Sequence, residues 1–498
     1  LAVVHAFIRP LRAIAQLARE ARKQAIAAAV RYTSSYVDVP PITSDGPHIY
    51  TGHQPELVHP GVWIKNFAAA QLAQQCAGIA VHIIIDGDPC RRPAIDVPAG
   101  STAQPRVESV PFDQRGLAIP YEERHVLDER TWQTFGSRVT QVLGSWQRDP
   151  LLREWWPVVM ARDLRTIRLG QCLAEERHRI EVDQGCQLLQ LPQSAMCSLP
   201  SFRKFLARLA ADAVEFRQVY NAELATYRRQ NKIRTAAQPV PDLGESDGYL
   251  ELPFWIWQSD APRRRRLFVR PHRNALELTD LYDVRCEIPQ SNDEGGAVEA
   301  LSQLEAGGVK IRSRALTTTM FARFFLSDAF IHGIGGGMYD QVTDAVCRRY
   351  FGIQPPQLAV VSGTLRLGVG VVARDQPMPR QIRQQLRDLR FHPERWIEFA
   401  SPDADQGEMQ NALAAKQRAI QTPKTPATAA SRHEAIVAAN AQLLTGLTRQ
   451  REELLSELSE AVQRERARRI LESREYAFCL FSMDRLRDFL LAFRKNLA

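Results

Sequence analysis

The chain has 498 residues, of which 45% are hydrophobic and 24% are charged, a composition typical of a soluble globular protein with roughly two to four structural units. No segment approaches the roughly 20 consecutive apolar residues that a membrane span needs, so the sequence predicts no contact with a membrane. The net charge of +8 is spread along the chain, and the densest basic runs, 263–266 and 464–469, carry no interleaved aromatic residues, which argues against nucleic acid as a partner.

Eight cysteines are scattered along the sequence without a Cys-x-x-Cys pair or a Cys/His spacing that suits zinc. We therefore expect reduced thiols, a cytoplasmic protein and no metal site.

Residues 1–47 are predicted to form an N-terminal helical segment. Charged residues such as Arg9, Arg12 and Arg19 interrupt its apolar positions at helical intervals, which is typical of an amphipathic helix and not of a signal peptide.

Residues 48–110 are predicted to form the first part of a Rossmann-like parallel-sheet core of the α/β class. A strand-like run ends at Thr51, a helical pattern follows over 62–76, and the apolar, β-branched run 79–85 predicts a second strand. These three segments have the length of a β-α-β unit. Ligands bind at the carboxyl ends of strands in open α/β sheets, so the loops that follow both strands are candidate binding loops.

The loop between the first strand and the first helix, 52–61, offers the most chemistry. It holds the imidazoles of His53 and His59, the amide of Gln54 and the carboxylate of Glu56. A helix N-terminus next to them has free N–H groups that favour a carboxylate or a phosphate. The alternative is a Pro/Gly-rich turn in which the histidines only satisfy nearby backbone groups.

Residues 111–238 are dominated by helical periodicity and are predicted to be a helical insertion. The second part of the core is predicted over 239–372. It begins with a hairpin of strands at 249–258 and near 267–269, in which Trp255 and Trp257 are simplest to interpret as core residues.

A second strand-glycine-helix transition follows within this part of the core. A strand over 329–334 leads into Gly335-Gly336-Gly337 and a helix over 338–350. Three glycines let the backbone approach a phosphate or carboxylate, although a tight turn explains them equally well.

Residues 373–475 are predicted to be a helical linker followed by a coiled coil. A capping box, Ser431 to Glu434, predicts the start of a long helix, and its leucines follow the alternating spacing of a coiled-coil seam: Leu444, Leu447, Leu454 and Leu458. We expect this seam to form a homodimer, or else an internal hairpin with 406–421. Residues 476–498 are predicted to be a strand and a helix that pack on the core.

Neither a Walker loop nor a nucleophile elbow nor a zinc-protease motif occurs in the sequence. A histidine-containing loop between the first strand and the first helix is similar in position, though not in spacing, to the histidine-rich signature of nucleotidylyltransferases and class I aminoacyl-tRNA synthetases. In those folds the histidines stabilise charge that develops on nucleotide phosphates.

The same residues resemble more closely the bacillithiol biosynthesis cysteine-adding enzymes, a family of cysteine ligases. The family's Thr-Gly-Gln-Gln pattern, followed by a glycine and a lysine at a helix start, is similar to Thr51-Gly52-His53-Gln54 with Gly61 and Lys65. Its acidic cluster after the next strand is similar to 86–88, and its strand leading into Gly-Gly-Pro is similar to 330–340. The order of core, helical insertions and C-terminal coiled coil covers nearly the whole chain.

The chain departs from this family at three places. His53 stands where the family usually has Gln, the acidic cluster is reduced to Asp86 and Asp88, and the family's Gly-Gly-Pro-x-Glu is replaced by Gly-Gly-Gly-Met-Tyr-Asp. The resemblance therefore implies a divergent member. His53, Gln54 and His59 are expected to face one crevice with Asp86, Gly335 and Gly336, because all six lie at the carboxyl ends of strands predicted to be parallel neighbours.

The candidate site consists of two groups of residues. The predicted catalytic residues are His53, Gln54, His59 and Asp86. The predicted substrate-binding residues are Thr51, Gly52, Lys65, Asn66, Asp88, Arg314, Gly335, Gly336, Gly337, Tyr339 and Asp340. His53 and the amides after Gly61 are expected to hold an activated carboxylate or phosphate, while Lys65 or Arg314 neutralises its charge.

The resemblance implies a ligase that joins a carboxylate, that of cysteine, to the amine of an amino sugar conjugate, as in the synthesis of bacillithiol-type low-molecular-weight thiols. Its substrates are small molecules, and ATP with magnesium is the candidate cofactor. One alternative is a nucleotidyl transferase that acts on another small acid. The other is a catalytically silent scaffold in which the coiled coil is the working part.

Overall fold

The structure, a computed structural model, describes residues 2–42, 44–290, 294–369 and 376–492. The chain divides into two compact units. The first unit comprises Leu1–Val97, Glu108–Leu365 and Arg474–Ala498, and the second comprises Pro98–Val107 and Arg366–Ser473. The predicted boundary at 372/373 and the last residues of the predicted C-terminal segment, 493–498, lie outside the described residues.

The described chain combines strands and helices throughout. Its strands are β1 His48–His53, β2 Ile79–Ile84, β3 Ala94–Gly100, β4 Pro105–Pro111, β5 Leu189–Pro192, β6 Glu245–Ser246, β7 Tyr249–Gln258, β8 Ala261–His272, β9 Ala275–Thr279, β10 Arg285–Pro289, β11 Val309–Ser313, β12 Ala329–His332 and β13 Leu358–Val360. Its α-helices are α1 Ala2–Ser34, α2 Pro60–Gln75, α3 Glu129–Leu143, α4 Leu152–Met160, α5 Leu169–Asp183, α6 Gln193–Cys197, α7 Pro200–Ala211, α8 Ala213–Gln230, α9 Glu294–Ala306, α10 Ala315–Phe321, α11 Ile334–Val346, α12 Pro379–Phe391, α13 Gln406–Gln421, α14 Ala429–Thr445, α15 Thr448–Leu471 and α16 Met483–Leu490.

A five-stranded parallel sheet lies at the centre of the first unit, and the predicted α/β class is thereby confirmed. Its strands follow the order β13-β12-β1-β2-β5. All six residues of β2 are buried, which explains why all of them except His82 are apolar. Helices cover both faces, since α1, α7, α8 and α11 contribute to one apolar core with β2, while α2 and α16 pack together.

The β1-α2-β2 unit forms where the sequence predicts it. Strand β1 extends two residues beyond the predicted run, and α2 begins at Pro60, two residues before the predicted start at Val62. Proline is well suited to the first helical position because its backbone nitrogen has no N–H to leave unpaired. His59 precedes it as N-cap, and its Nδ1 accepts a hydrogen bond from the Gly61 N–H.

The region 111–238 is more than the helical insertion that the periodicity predicts. It does contain α3 to α8, but the four residues of β5 lie among them and form an edge of the parallel sheet next to β2. All four are buried. A four-residue strand between helices has too few residues to show a period of its own, so helical periodicity on both sides conceals it. The β3–β4 pair was likewise not predicted.

A second sheet of the first unit is antiparallel, with the order β10-β9-β8-β7-β11 and β6 paired to β7. The predicted hairpin is confirmed as β7 and β8. Its pairing shifts register twice, once between Leu252 and Trp255 and once between Ile256 and Gln258. Each irregular stretch contains a proline, Pro253 on β7 and Pro262 on β8. Proline cannot donate to the ladder, so sheets accommodate it at such bulges.

The three glycines expected to form a loop lie inside a helix. Strand β12 ends at His332, Gly333 is the N-cap, and α11 begins at Ile334. Gly335 and Gly336 therefore lie in the first turn of α11, where the backbone N–H groups have no partners within the helix. The Gly337 N–H already donates to the Gly333 carbonyl over 3.0 Å. The prediction of a strand-glycine-helix corner holds, but the glycines belong to the helix.

The C-terminal helices of the second unit differ from one long coiled-coil helix. Helix α14 begins at Ala429, so Ser431 lies within it and does not cap it, and the helix ends before Gly446. Helix α15 then runs on to Leu471. Helix α13 has the bounds of the predicted internal partner and packs on α14 through Met409 and Ala412. A coiled coil is not confirmed.

The leucine seam is buried by the second unit itself. Leu447 and Leu454 are 0% and 4% exposed and form a core with Ile382 and Leu389 of α12, against which Leu444 and Leu458 are packed. The apolar stripe that predicts pairing of two chains is therefore covered within one chain. Homodimerisation stays a prediction.

The C-terminal segment of the first unit returns to α2. The strand predicted near 476–481 is absent; a short 3-10 helix, Phe478–Leu480, stands there instead and precedes α16. The Phe478 N–H donates to the Val58 carbonyl over 2.8 Å, and its ring lies 4.7 Å from that of Trp63 between centroids. Among the described helices, none combines the length and apolar character that crossing a bilayer requires.

Burial of the leucine seam predicts a contrast between two neighbouring residues. Replacing Leu454 by Ala should reduce the free energy of unfolding of the second unit by about 2–4 kcal/mol, because the lost methyl groups leave a cavity against α12. Leu455 is 45% exposed, so its replacement by Ala should cost less than about 0.5 kcal/mol. Urea unfolding curves of the two variants would contradict this packing if their midpoints shifted equally.

Candidate functional site

The connections of the parallel sheet open a crevice between its two central strands. β1 continues through α2 to β2 on one side, whereas the neighbouring strand β12 continues through α11 to β13 on the other. Right-handed crossovers in opposite directions place α2 and α11 on opposite faces of the sheet. The loops after β1 and β12 therefore diverge, and such a switch point is where open α/β sheets bind ligands.

Two of the predicted binding residues hold the strands together at this edge. The Thr51 hydroxyl is fully buried and donates to the Ile331 carbonyl over 2.9 Å, which ties β1 to β12. A side chain at Gly52 would lie 3.1 Å from the Ile83 carbonyl oxygen. Both residues shape the edge of the sheet, and neither offers a free polar side chain to a ligand.

His53 is buried at the end of β1, with 5% of its surface exposed. Its Nδ1 is 2.9 Å from the Gln54 carbonyl oxygen, which can only accept, so Nδ1 carries the proton and Nε2 is a bare lone pair. That Nε2 has no hydrogen-bond partner in the described residues. Burial, followed by the nearby His82 and Arg177, lowers the pKa of His53 well below its usual value, so the ring is neutral near pH 7.

His82 of β2 forms a pair with His53 that the sequence did not lead us to single out. The two ring centroids are 4.2 Å apart. The Nδ1 of His82 donates to Gln190 Oε1 over 2.7 Å, and its Nε2 has no partner within the described chain. Burial also lowers the pKa of His82 well below its usual value. Two neutral imidazoles thus present unpaired acceptor nitrogens beside each other.

Lys65 of α2 is a cation without a carboxylate partner in the part of the chain described. Its side chain is buried, and its Nζ donates to the Gly52 carbonyl over 2.9 Å. Burial, together with the positive charge of Arg177, lowers the pKa of this ammonium to about 8. Its Cδ lies 4.0 Å from the place a side chain at Gly333 would occupy, next to the start of α11.

Asn66 belongs to a buried network between α2 and α5. Its Nδ2 donates to Glu181 Oε1 over 2.9 Å, and Trp63 Nε1 donates to the same oxygen over 2.6 Å. Arg177 lies 3.5 Å from that carboxylate. Arg177 Nη2 and Asn66 Oδ1 are buried without a partner in the described residues. Asn66 therefore orients Glu181 through its Nδ2, while its Oδ1 remains a free hydrogen-bond acceptor among the described residues.

His59 is engaged by the chain itself. Its Nδ1 accepts from the Gly61 N–H over 3.1 Å, and its Nε2 is 3.5 Å from Glu475. A side chain at Gly61 would lie 2.2 Å from the Gly363 carbonyl oxygen, so backbone closes over this helix start. The N-terminus of α2, where we expected an anion, is occupied by groups of the protein.

The N-terminus of α11 is open in comparison. Its N-cap, Gly333, contributes no side-chain hydrogen bond, and a side chain at Gly335 would meet empty space. One at Gly336 would lie only 2.6 Å from His332 Nδ1, which favours glycine there. Ile334 and Met338 expose 53% and 57% of their surface beside this turn. Free N–H groups and exposed apolar side chains therefore meet at one helix start.

Two further residues of α11 have different environments. Asp340 is fully buried and accepts hydrogen bonds from Arg323, from Thr319 over 2.8 Å and from His332 over 3.0 Å, so it anchors α11 to α10 and β12. Tyr339 is half-buried. Burial raises the pKa of Tyr339, and the charges of Asp340 and Asp88 raise it further.

The acidic pair after β2 is divided between two partners. Asp86 is buried and accepts from the Ser194 N–H over 2.9 Å and from the Ser194 hydroxyl over 2.5 Å. Burial and the nearby Glu122 raise the pKa of Asp86 to about 7. Asp88 accepts from Gln54 Nε2 over 2.8 Å and from Arg264 over 2.7 Å. The loops after β1 and β2 are thus joined through the Gln54–Asp88 hydrogen bond.

Arg314 lies at the end of β11, in the antiparallel sheet. It donates to Glu251 over 2.6 Å, and its guanidinium is 4.8 Å from the Trp255 ring centroid. Within the described chain, Arg314 makes no hydrogen bond to the residues of the crevice. Of the predicted site residues, then, Gln54 and Asp88 are in direct contact, His53 and Lys65 lie buried at the end of β1, and Arg314 is held elsewhere.

Sequence reasoning missed several residues of this site. His82, Arg177, Glu181, Ser194 and Arg264 all contribute contacts described above. A histidine in a buried apolar strand and an Arg–Glu pair four residues apart in a buried helix were available signals for the first three.

No group of three or more His, Cys, Asp or Glu side chains suited to a metal ion occurs in the residues that the structure describes. The chain matches no model of a known protein family and no curated protein.

The buried ammonium of Lys65 predicts a pH dependence of stability. Its pKa falls from 10.5 to about 8 in the folded chain, so between these values the folded state has lost a proton that the unfolded state retains. Stability should therefore rise as the pH increases through this range. Denaturation midpoints measured from pH 7 to 10.5 should show this rise relative to Lys65→Met, and identical profiles would contradict a buried charged lysine.

Proposed function

We propose that the crevice between β1 and β12 binds a small carboxylic acid and an amine, and that the protein is a ligase joining them, with cysteine as the acid and an amino sugar conjugate as the amine. The observation that carries this proposal is the unpaired buried Lys65 beside the open N-terminus of α11. A buried cation and free helix amides both favour an anion. The resemblance of 51–65 and 330–340 to cysteine-adding enzymes supports the choice of substrate.

Each residue at the crevice has a chemical task in this proposal. Lys65 neutralises the carboxylate, which offsets the cost of burying both charges. The amides of Gly335 and Gly336 face developing negative charge on the acyl oxygen, in the manner of an oxyanion hole. The Gln54–Asp88 hydrogen bond joins the loops after β1 and β2 and so fixes the loop that forms the β1 side of the crevice.

Proton transfer is the second task. The attacking amine must lose a proton as its nitrogen bonds to the acyl carbon. Asp86, with a pKa of about 7, is the group that accepts this proton near neutral pH. The bare Nε2 of His53 is a hydrogen-bond acceptor for the attacking amine, because the low pKa of the buried ring keeps it neutral. Amide formation from a free carboxylate requires activation, so we include ATP with magnesium as co-substrate. Transfer of a phosphoryl or adenylyl group from ATP to the carboxylate oxygen would create the leaving group that the amine displaces. The nucleotide would end as ADP and phosphate or as AMP and pyrophosphate.

Product analysis tests this function. Purified protein would be incubated with cysteine, a glucosamine conjugate and ATP with magnesium, and the products would be analysed by mass spectrometry. The expected product has the summed mass of the two substrates less one water. Retention of all starting materials by folded protein, with and without the nucleotide, would overturn the ligase proposal.

His53→Ala should lower the turnover of this reaction by about 10²-fold or more, because the variant loses the imidazole at the end of β1. His53→Gln restores the residue usual in the resembling family and should recover part of the activity. His433→Ala is the matched control, since His433 is exposed in α14. Equal turnover in His53→Ala and in the control would remove His53 from the site.

Location and assembly complete the proposal. We place the protein in the cytoplasm, a choice that its eight free cysteines support. We also retain a homodimer formed by the C-terminal helices, whose exposed apolar residues are Val437, Leu455 and Val462. One chain has a mass of 56.3 kDa, and light scattering at micromolar concentration should give twice this mass. A mass of one chain would contradict the dimer and leave the internal packing of α13 and α14 as the whole role of these helices.

A further inference from the structure

A cleft of about 530 Å³ in the antiparallel sheet carries four consecutive arginines, Arg263 to Arg266 of β8. In a regular strand successive side chains point to opposite faces, so only two of the four would line one cleft. All four nevertheless line this cleft. The second register shift of the β7–β8 hairpin lies on β8 between Ala261 and Arg265, so Arg263 and Arg264 belong to an irregular stretch in which strict alternation does not apply.

Three carboxylates line the same cleft, and each already has partners. Glu251 is fully buried and accepts from Arg266 over 3.1 Å, from Arg314 over 2.6 Å and from the Gly244 N–H over 2.9 Å. Asp280 accepts three backbone N–H groups, from 282 to 284, and lies 3.3 Å from Arg265. Glu245 is 3.4 Å from Arg217. The acceptors of the cleft are therefore largely used.

Donors remain in excess after this pairing. A guanidinium has five N–H groups and no acceptor, so each arginine retains donors beyond those that bind the carboxylates. Arg264 directs part of its donors out of the cleft, to the Gly87 carbonyl and to Asp88. Arg263 is exposed and has neither a hydrogen bond nor an ion pair within the described chain. Arg264 lies 4.6 Å from the Trp255 ring centroid and Arg265 lies 4.0 Å from that of Tyr282, contacts that hold both guanidinium groups in place.

We infer that this cleft is a binding site for a small molecule with two or more oxyanion groups, phosphates or carboxylates. Such a group accepts hydrogen bonds and donates none, which is what an arginine-lined, acceptor-depleted cleft requires. The rings of Trp255 and Tyr282 each have a guanidinium over one face, which positions Arg264 and Arg265 for the anionic groups of the ligand. Arg264 also donates to the Gly87 carbonyl over 2.9 Å, so the cleft adjoins the loop after β2.

Calorimetric titration at constant ionic strength tests the inference independently of any turnover. The probes are inorganic pyrophosphate and tricarballylate, one for each oxyanion chemistry. Saturable binding with one site per chain is expected for at least one of them. Binding of pyrophosphate alone assigns a phosphorylated ligand, binding of tricarballylate alone assigns a polycarboxylate, and binding of both assigns a site that accepts either. If neither probe bound at a concentration of about 10 mM, any affinity would be weaker than about 2–3 kcal/mol of binding free energy. That result would overturn the inference.

Variants then locate the binding. The double variant Arg263→Gln, Arg266→Gln should raise the dissociation constant of the bound probe about tenfold or more, because two charge-assisted contacts are lost. Arg263→Gln alone serves if the double variant does not fold, because Arg263 has no internal contact to lose. Arg165→Gln is the control, with 96% of its side chain exposed near α5. Equal affinity in the cleft variants and the control would overturn the inference, as would binding of a short single-stranded oligonucleotide in preference to both probes.

Discussion

Opposite crossover directions after two adjacent parallel strands are the constraint on which the rest of the first unit depends. Because β1 and β12 send their chains to opposite faces, neither α2 nor α11 can cover the gap between the strand ends. Thr51 holds the two strands in register at this point. His53, Lys65, Gly335 and Gly336 all lie on elements that leave the sheet at this point.

Burial of ionisable groups beside this gap is energetically expensive. Lys65, Arg177, Glu181 and Asp86 are all almost fully buried, and a hydrophobic side chain of equal size would remove the cost of desolvating each. Glu181 and Arg177 offset part of this cost by pairing, whereas Lys65 has a single backbone acceptor. Perturbed pKa values of this kind concentrate at functional sites, and here they gather on the α2 side of the sheet.

Local pattern was sufficient to predict part of this molecule. The β1-α2-β2 unit, the β7–β8 hairpin and the bounds of α13 follow from periodicity and turn residues within short windows. β5 could not be predicted because four buried residues have no distinctive period. The site was predictable only in its loop residues. Gln54 was expected to face a crevice with Asp86, but its hydrogen bond goes to Asp88. Arg264, which also donates to Asp88, is 176 positions away in the sequence. Local sequence carries no signal for a pairing over that distance.

The return of the chain to α2 has a consequence for biosynthesis. The Phe478 segment and α16, which pack against Trp63 and α2, are the last described elements to leave the ribosome, after nearly all of the second unit. Until then the nascent first unit exposes an aromatic surface that its own sequence is not yet long enough to cover. The first unit therefore completes folding only after these residues have been synthesised, and chaperones that bind exposed aromatic surface would act on the nascent chain until then.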